Sequence, residues 1–137
     1  MSYLDILKAQ LAMDEGRRNK MYLDSKGIPT IGIGHNLRDN PISDAAINQI
    51  FADDVAPIEA QTRALFPSFD TLSDARKAVL CNMMFNLGAT RFATFNTFKS
   101  LVESKQFALA ASDMLTTLWA KQVGDRALRL AAAMRKG

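Results

Sequence analysis

The segment from Met13 to His35 constrains the fold more than any other part of this chain. Gly16 is a natural stop for the helix that precedes it. Residues 21–23 then predict a short strand, residues 24–27 a turn with glycine at its last position, and residues 28–33 a returning strand. Because so small a sheet cannot be stable alone, the rest of the chain must supply a core.

Two local signals refine this segment. Ser2, with Asp5 three residues later, predicts a capped start for the first helix. Pro29 lies in the returning strand. Since proline has no N–H to donate to a neighbouring strand, we expect the returning strand at an edge of the sheet.

Beyond residue 42 the apolar residues follow a helical period. Ser43 predicts the start of a long helix that extends to about residue 65, and Pro57 inside it predicts a kink or a break. The next helix, residues 74–87, is closed by Gly88 and is apolar on nearly all sides, as in a central core helix. The remaining helices are predicted at residues 92–104, 107–121 and 125–135.

Length and composition narrow the class of protein. A chain of 137 residues predicts a single domain, 1–137. Cys81 is the only cysteine, which excludes an internal disulfide and fits a reducing cytoplasm. The N-terminal residues have no apolar run, so we expect neither a signal peptide nor a membrane anchor. A net charge of +3 fits an ordinary solvated surface or attraction to an anionic polymer.

Two carboxyl groups and one hydroxyl in the first segment suggest a chemistry. Glu15 ends a helix, where the negative end of the helix dipole disfavours its ionised form. Asp24 begins the hairpin turn, and Thr30 lies about opposite it on the returning strand. Hydrolysis of a glycosidic bond needs one protonated and one ionised carboxyl group, and a threonine hydroxyl can hold a water beside the second.

The same residues resemble the phage T4-type lysozymes, glycoside hydrolase family 24. The similar motifs are Asp14-Glu15-Gly16, Tyr22-Leu23-Asp24 and Thr30-Ile31-Gly32-Ile33-Gly34-His35, with matching spacing between Glu15, Asp24 and Thr30. Two further blocks are similar and keep their order, one from Asp74 to Gly88 and one from Trp119 to Arg129.

This resemblance implies a mostly helical α+β fold of the lysozyme type. A small β-hairpin lobe, about residues 14–45, would be joined by a long helix, 43–65, to a larger helical lobe of residues 1–13 and 66–137. The substrate would then lie in a cleft between the lobes.

The resemblance also assigns roles to site residues. Glu15 would be the general acid, and Asp24 the carboxylate that positions a water together with Thr30. Inversion of configuration would place the two carboxyl groups roughly 6.5–9.5 Å apart. Arg126 would pair with Glu15, and no metal or cofactor is implied.

Other positions carry weaker assignments. Asn36, Phe85 and Asp113 fall where the family contacts substrate, although Asp113 replaces the usual amide, and core packing remains an alternative for Phe85. His35 is expected to be structural and to pair with Asp54. The remaining candidates are interpreted as core residues: Trp119, Cys81, Met83 and Met84.

The leading hypothesis is a muramidase of a phage or prophage, which cleaves the β-1,4 bond between N-acetylmuramic acid and N-acetylglucosamine to lyse the bacterial host. Its partner is peptidoglycan. We expect a monomer that accumulates in the host cytoplasm and reaches the wall through a holin-type pore. Neither nucleic-acid binding nor stable insertion into a membrane is expected.

Two alternatives remain open. A lytic transglycosylase needs an acid but no carboxylate that activates water, and Asp24 with Thr30 argues against it. A non-catalytic wall-binding module of the same fold is disfavoured because Glu15, Asp24 and Thr30 are all present.

Overall fold

Eight α-helices and one three-stranded sheet make up the chain. The structure, a computed structural model, describes all residues from 1 to 137. The elements in chain order are α1 (Tyr3–Glu15), β1 (Arg18–Leu23), β2 (Pro29–Gly32), β3 (His35–Asn36), α2 (Asp44–Leu65), a short 3₁₀-helix (Phe69–Thr71), α3 (Asp74–Leu87), α4 (Ala89–Phe92), α5 (Asn96–Glu103), α6 (Phe107–Met114), α7 (Leu118–Val123) and α8 (Asp125–Lys136). The mostly helical α+β class predicted from the sequence is confirmed.

Contacts divide the chain into two units, Met1–Ile50 and Phe51–Gly137. The first unit holds α1 and the sheet, and the second holds α3 to α8. The division into lobes predicted from the sequence, with residues 1–13 in the helical lobe, stays a prediction.

The predicted start of α1 is confirmed by its hydrogen bonds. The Ser2 hydroxyl accepts from the Asp5 backbone N–H at 3.2 Å, and the Asp5 carboxylate accepts from the Ser2 N–H at 2.9 Å. Hydrogen bonds from Ser2 also hold the pKa of Asp5 below its usual value. The helix ends at Glu15 because Gly16 adopts a φ of 83°, which favours glycine.

The sheet has the order β1-β2-β3, with both pairs antiparallel. The prediction that the returning strand lies at an edge is wrong, because β2 is the central strand. Pro29 is tolerated there since it opens the strand, a position from which a missing N–H costs little. Its carbonyl still accepts a hydrogen bond from the Leu37 N–H at 2.8 Å.

The third strand, His35–Asn36, was not predicted, because two residues are too few to show an alternating pattern. The turn that returns the chain to it contains Gly32 and Gly34, with φ of 67° and 69°.

The predicted helices of the second half agree with the structure except at three places. The helix predicted at 92–104 begins only at Asn96, as α5, and the short helix α4 (Ala89–Phe92) that precedes it was not predicted. α2 is continuous through Pro57, which excludes the predicted break. The helix predicted at 107–121 is two helices, α6 and α7. Thr117 separates them, because its backbone is extended and its hydroxyl accepts from the Ala120 N–H at 3.2 Å as an N-cap.

The core of the second unit is aromatic and aliphatic. Phe66 and Phe92 lie with ring centroids 5.3 Å apart, and Phe98 lies 6.1 Å from each of them. Trp119 is 2% exposed, which confirms it as a core residue. The α3 residues that join this core are Val79, Leu80, Met83, Met84 and Leu87. None of the helices combines the length and the apolar character that a membrane span requires.

Candidate active site

The backbone of Ile28 holds two of the predicted site residues. Its N–H donates to Asp24 Oδ1 at 2.9 Å, and its carbonyl accepts from Thr30 Oγ1 at 2.8 Å. The same carbonyl accepts from the Asp24 backbone N–H at 3.0 Å. One peptide segment therefore fixes both the carboxylate and the hydroxyl, and the structure brings Asp24 and Thr30 together.

Asp24 is fixed by the turn that it begins. Its Oδ1 also accepts from the Lys26 N–H at 2.8 Å, and its carbonyl accepts from the Gly27 N–H at 3.0 Å. Both side-chain bonds fall on Oδ1, so Oδ2 is left to accept from another molecule. The residue is half-buried.

Thr30 is the one residue of the first unit that is buried, at 4% exposure. It lies on β2 opposite Tyr22 of β1. Because its hydroxyl proton is donated to Ile28, the oxygen can act toward a further partner only as an acceptor.

Glu15 lies at the end of α1 in the same unit and is exposed. The Tyr22 hydroxyl donates to its backbone carbonyl at 3.3 Å, which ties the helix end to β1. The Arg18 guanidinium lies over the Tyr22 ring at 4.8 Å and restrains that ring. Tyr22 thus connects the end of α1, where Glu15 lies, to β1, and it is itself paired with Thr30 across the sheet.

Gly34 lies directly against the Glu15 side chain. A Cβ at position 34 would stand 3.2 Å from Glu15 Cβ and Cγ, which is closer than ordinary contact, and 3.5 Å from Cδ. The absence of a side chain at Gly34 therefore leaves the space that the Glu15 side chain occupies.

The predicted substrate contacts lie in three different settings. Asn36 uses its side chain within a loop: Oδ1 accepts from the N–H groups of Arg38 and Asp39, both at 2.9 Å, and Nδ2 donates to Asp39. Hydrogen bonds from Arg38 and Asn36 lower the pKa of Asp39.

The other two predicted contacts lie on helices of the second unit. Phe85 lies in the last turn of α3 with 59% of its surface exposed, so it is not a core residue. Asp113 is half-buried on α6.

Two predicted pairings involve both units and stay predictions. Arg126 belongs to the second unit, where its Nε and Nη2 donate to Asn82 Oδ1 at 3.0 and 2.7 Å. Its pairing with Glu15 is a separate prediction. His35 Nε2 lies 3.0 Å from the Asn40 carbonyl within the first unit, and its pairing with Asp54 is likewise untested.

Sequence reasoning missed the residues that support the site rather than form it. Ile28 acts through its backbone, which leaves no signal in the identity of its side chain. Tyr22 and Gly34 lie inside recognised motifs, yet only the contacts to Glu15 reveal what they do. No group of three or more His, Cys, Asp or Glu side chains converges to hold a metal ion.

Comparison with known proteins places these residues in a family. Residues 12–136 match the family model described as phage lysozyme. The chain is 29% identical to "Probable T4-type lysozyme 1" of Dictyostelium discoideum, over 96% of this chain and 94% of that protein. It is 31% identical to "Endolysin" of Salmonella phage P22, over 85% and 82% respectively. It is also 28% identical to "Pre-baseplate central spike protein Gp5" of Enterobacteria phage T4, over 93% of this chain and 27% of that protein.

The family match spans nearly all of the chain, including the segment whose backbone fixes Asp24 and Thr30. The mostly helical fold with one small antiparallel sheet agrees with it. The chain therefore belongs to the phage lysozyme family and is a lysozyme-type enzyme that hydrolyses peptidoglycan.

Proposed function

We propose that this lysozyme is an inverting muramidase, which cleaves the β-1,4 bond between N-acetylmuramic acid and N-acetylglucosamine. The observation that carries the proposal is the double use of Ile28, whose N–H and carbonyl hold Asp24 and Thr30 side by side. An inverting reaction needs a water molecule held between a base and the sugar ring, and this pair supplies two acceptors for such a water.

The donor and acceptor pattern determines how that water is oriented. Ionised Asp24 offers only acceptors, and the Thr30 hydroxyl has already given its proton to Ile28. A water bound to both must direct its two O–H groups at Asp24 Oδ2 and Thr30 Oγ1. Its lone pairs then point away from the protein, toward the anomeric carbon of the sugar.

The proton balance follows from these roles. As the water oxygen bonds to the anomeric carbon, Asp24 takes the proton that the water loses. Glu15 gives its own proton to the leaving glycosidic oxygen on the opposite side of the bond. The reaction consumes one water and exchanges the protonation states of the two carboxyl groups, which bulk solvent then restores.

Three other side chains are proposed to contact the glycan. The exposed ring of Phe85 offers a flat apolar face of the kind that packs against a sugar ring. Asp113 can accept hydrogen bonds from sugar hydroxyl groups. Asn36 has its side chain engaged in its own loop, so we propose that it acts by shaping that loop.

Activity measurements on purified peptidoglycan test the assignment of roles. Glu15→Gln and Asp24→Asn should each lower the rate by about 10²–10⁴-fold, because each removes a proton-transfer group. Asp14→Asn is the matched control for Glu15→Gln: it neutralises the adjacent carboxylate and should retain activity. Wild-type rates for Glu15→Gln would overturn the assignment of the acid.

Thr30 is tested by a pair of variants. Thr30→Val keeps the shape of the side chain but removes the hydroxyl oxygen that accepts from the water, so activity should fall by about tenfold or more. Thr30→Ser keeps the oxygen and should retain most of the activity. Equal rates for the two variants would exclude a role for the hydroxyl.

The products separate this proposal from the lytic transglycosylase. Hydrolysis gives muramic acid with a free reducing end, whereas a transglycosylase gives an anhydro sugar, and mass spectrometry of the released muropeptides distinguishes them. Proton NMR recorded in the first minutes should show the α-anomer, since inversion at a β-linkage produces it. Anhydro products, or an initial β-anomer, would refute the inverting muramidase.

We also propose that a phage or prophage uses the enzyme to lyse its bacterial host. The name of the Salmonella phage P22 relative, "Endolysin", supports this role. The enzyme would accumulate in the host cytoplasm as a monomer until a holin-type pore admits it to the wall. Expression in bacteria should then cause lysis only with a co-expressed pore protein, and light scattering should give the mass of one chain, 15.1 kDa.

A further inference from the structure

One side of α3 carries three exposed residues, of which only Phe85 has so far been proposed to contact the glycan. Asn82, Phe85 and Asn86 are spaced three and four residues apart, so they lie next to one another on the helix surface. We call these three residues the α3 face. Phe85 stands between two amides, and both amides are already engaged by residues from other helices.

These amides anchor the α3 face to α7 and α8. Asn86 Oδ1 accepts from the Trp119 indole N–H at 2.7 Å. Asn82 Oδ1 accepts from Arg126 at 2.7 and 3.0 Å. The backbone around Phe85 is thus held at both neighbouring turns while the ring itself remains exposed.

Arg91 lies beside the Asn86 end of this face. It belongs to α4, which follows α3 after Gly88 alone, and its Nη2 donates to Gln122 Oε1 at 2.7 Å. Gln122 is three residues after Trp119 on α7, so both side chains project from the same side of that helix. The two hydrogen bonds to α7 therefore place the Arg91 guanidinium close to the end of α3.

The partner of Arg91 is a neutral amide. None of the ion pairs of the protein includes Arg91, so its positive charge is oriented by Gln122 without being neutralised. An oriented guanidinium with further N–H groups available is suited to a carboxylate, which it can bind with two parallel hydrogen bonds. The exposed ring of Phe85 lies in the last turn of α3, and an aromatic face suits a ligand that also has a sugar face.

We propose that Arg91 is a specificity-determining residue, which binds a carboxylate of the peptide chain carried by N-acetylmuramic acid while Phe85 lies against the glycan. This inference rests on the proposed function, because only a muramic acid polymer offers both groups. It adds a recognition element for the peptide to the cleavage of the sugar linkage.

Binding measurements test the inference without depending on turnover. Full-length protein carrying Glu15→Gln is titrated calorimetrically with soluble glycan strands that carry their peptides, and with the same strands after an amidase has removed the peptides. Arg91→Ala in this background should weaken binding to the intact strands by about tenfold or more, as expected for loss of a hydrogen-bonded ion pair. It should leave binding to the stripped strands unchanged.

Two further variants separate recognition from charge and from folding. Arg91→Lys keeps the charge but loses the planar fork, so it should bind intact strands with intermediate affinity. Arg129→Ala removes an exposed arginine of α8 and the same net charge, and it should bind like the parent. Circular dichroism should show the same helix content for all variants.

The inference is overturned if Arg91→Ala weakens binding to both kinds of strand equally, if Arg129→Ala has the same effect, or if neither changes affinity. These outcomes leave the proposed function standing, since that depends on the loss of activity in Glu15→Gln and on the products. Retained activity in Glu15→Gln would instead overturn the proposed function. The binding data on Arg91 would still be valid in that case.

Discussion

The carboxylate of Asp24 and the hydroxyl of Thr30 are held by a single peptide segment, that of Ile28. Their relative position therefore depends on backbone geometry instead of on two independent side-chain rotamers. Such preorganisation matters because a displacement of about 1 Å in a reacting group can cost about a hundredfold in rate. Glu15 receives a comparable restraint from Tyr22 and from the close approach of Gly34.

Gly34→Ala tests that close approach. The added Cβ would stand 3.2 Å from two Glu15 carbons and force the Glu15 side chain to move, so we expect activity to fall by about tenfold to a hundredfold if Glu15 has its proposed role. The φ of 69° adds a backbone penalty of about 1–2 kcal/mol in the free energy of unfolding.

Gly32→Ala is the matched control for this variant. Gly32 has nearly the same φ, 67°, and a Cβ there would meet nothing within 4 Å. It should lose similar stability in urea unfolding while keeping far more of its activity on peptidoglycan. Equal losses of activity in the two variants would show that backbone strain, and not contact with Glu15, is responsible.

At the scale of elements, Arg76 of α3 caps the C-terminal end of α8. Its Nε donates to the Met134 carbonyl at 2.8 Å and its Nη2 to the Arg135 carbonyl at 3.1 Å. Its guanidinium also lies 3.7 Å from the ring centroid of Phe107 on α6. The last carbonyls of a helix lack partners within the helix, so this one side chain both caps α8 and connects three helices.

Arg76→Ala should lower the free energy of unfolding by about 2–3 kcal/mol, because it removes two charge-assisted hydrogen bonds and a cation–π contact. Urea unfolding followed by circular dichroism measures this loss. Arg76→Lys should recover only part of it, since an ammonium group cannot reproduce the planar fork. Lys136→Ala, a change at an exposed position of α8, should have almost no effect.

The elements also show where sequence reasoning succeeds and where it stops. Caps and stops are local, so Ser2 and Gly16 predicted both ends of α1, and Gly88 predicted the end of α3. The place of β2 in the sheet depended instead on a third strand that is too short to leave a pattern. The division at Thr117 depended on its extended backbone and on its hydroxyl, which donates to the Met114 carbonyl and accepts from the Ala120 N–H, and the apolar pattern of residues 107–121 does not reveal this.

The candidate site shows the same difference between local signals, which the sequence contains, and long-range contacts, which it does not. Motif spacing predicted Glu15, Asp24 and Thr30, and the structure holds the last two on one peptide segment. Nothing in the sequence indicated that Asn82 would bind Arg126 or that Gln122 would bind Arg91. These contacts join residues that are more than thirty positions apart, so they become visible only after the helices pack.

At the scale of the whole molecule, Cys81 makes global stability depend on pH. Burial raises the pKa of its thiol, while a hydrogen bond with Thr62 and the charge of Arg63 oppose that shift and Glu59 adds to it. The thiol therefore stays protonated in the folded protein at a pH where it ionises in the unfolded chain. The unfolded state then binds fewer protons, so the free energy of unfolding falls as pH rises above about 8.5.

Cys81→Ala should remove this contribution. Across pH 7 to 10, the difference in unfolding free energy between wild type and variant should shrink, and urea titrations at each pH measure it. Parallel curves over the whole range would contradict the assignment. At neutral pH the variant is expected to be less stable than wild type, because it loses a packed sulfur atom.

The hydrogen bond between Trp119 and Asn86 makes tryptophan fluorescence a probe of one part of the molecule. Trp119 is the only tryptophan in the chain, and it lies in the interior of the second unit. Its fluorescence therefore reports on that unit and, through Asn86, on the neighbourhood of Phe85. A loss of the hydrogen bond from the indole N–H to Asn86 should therefore shift the emission of Trp119, which makes this residue a built-in probe of the packing between α3 and α7.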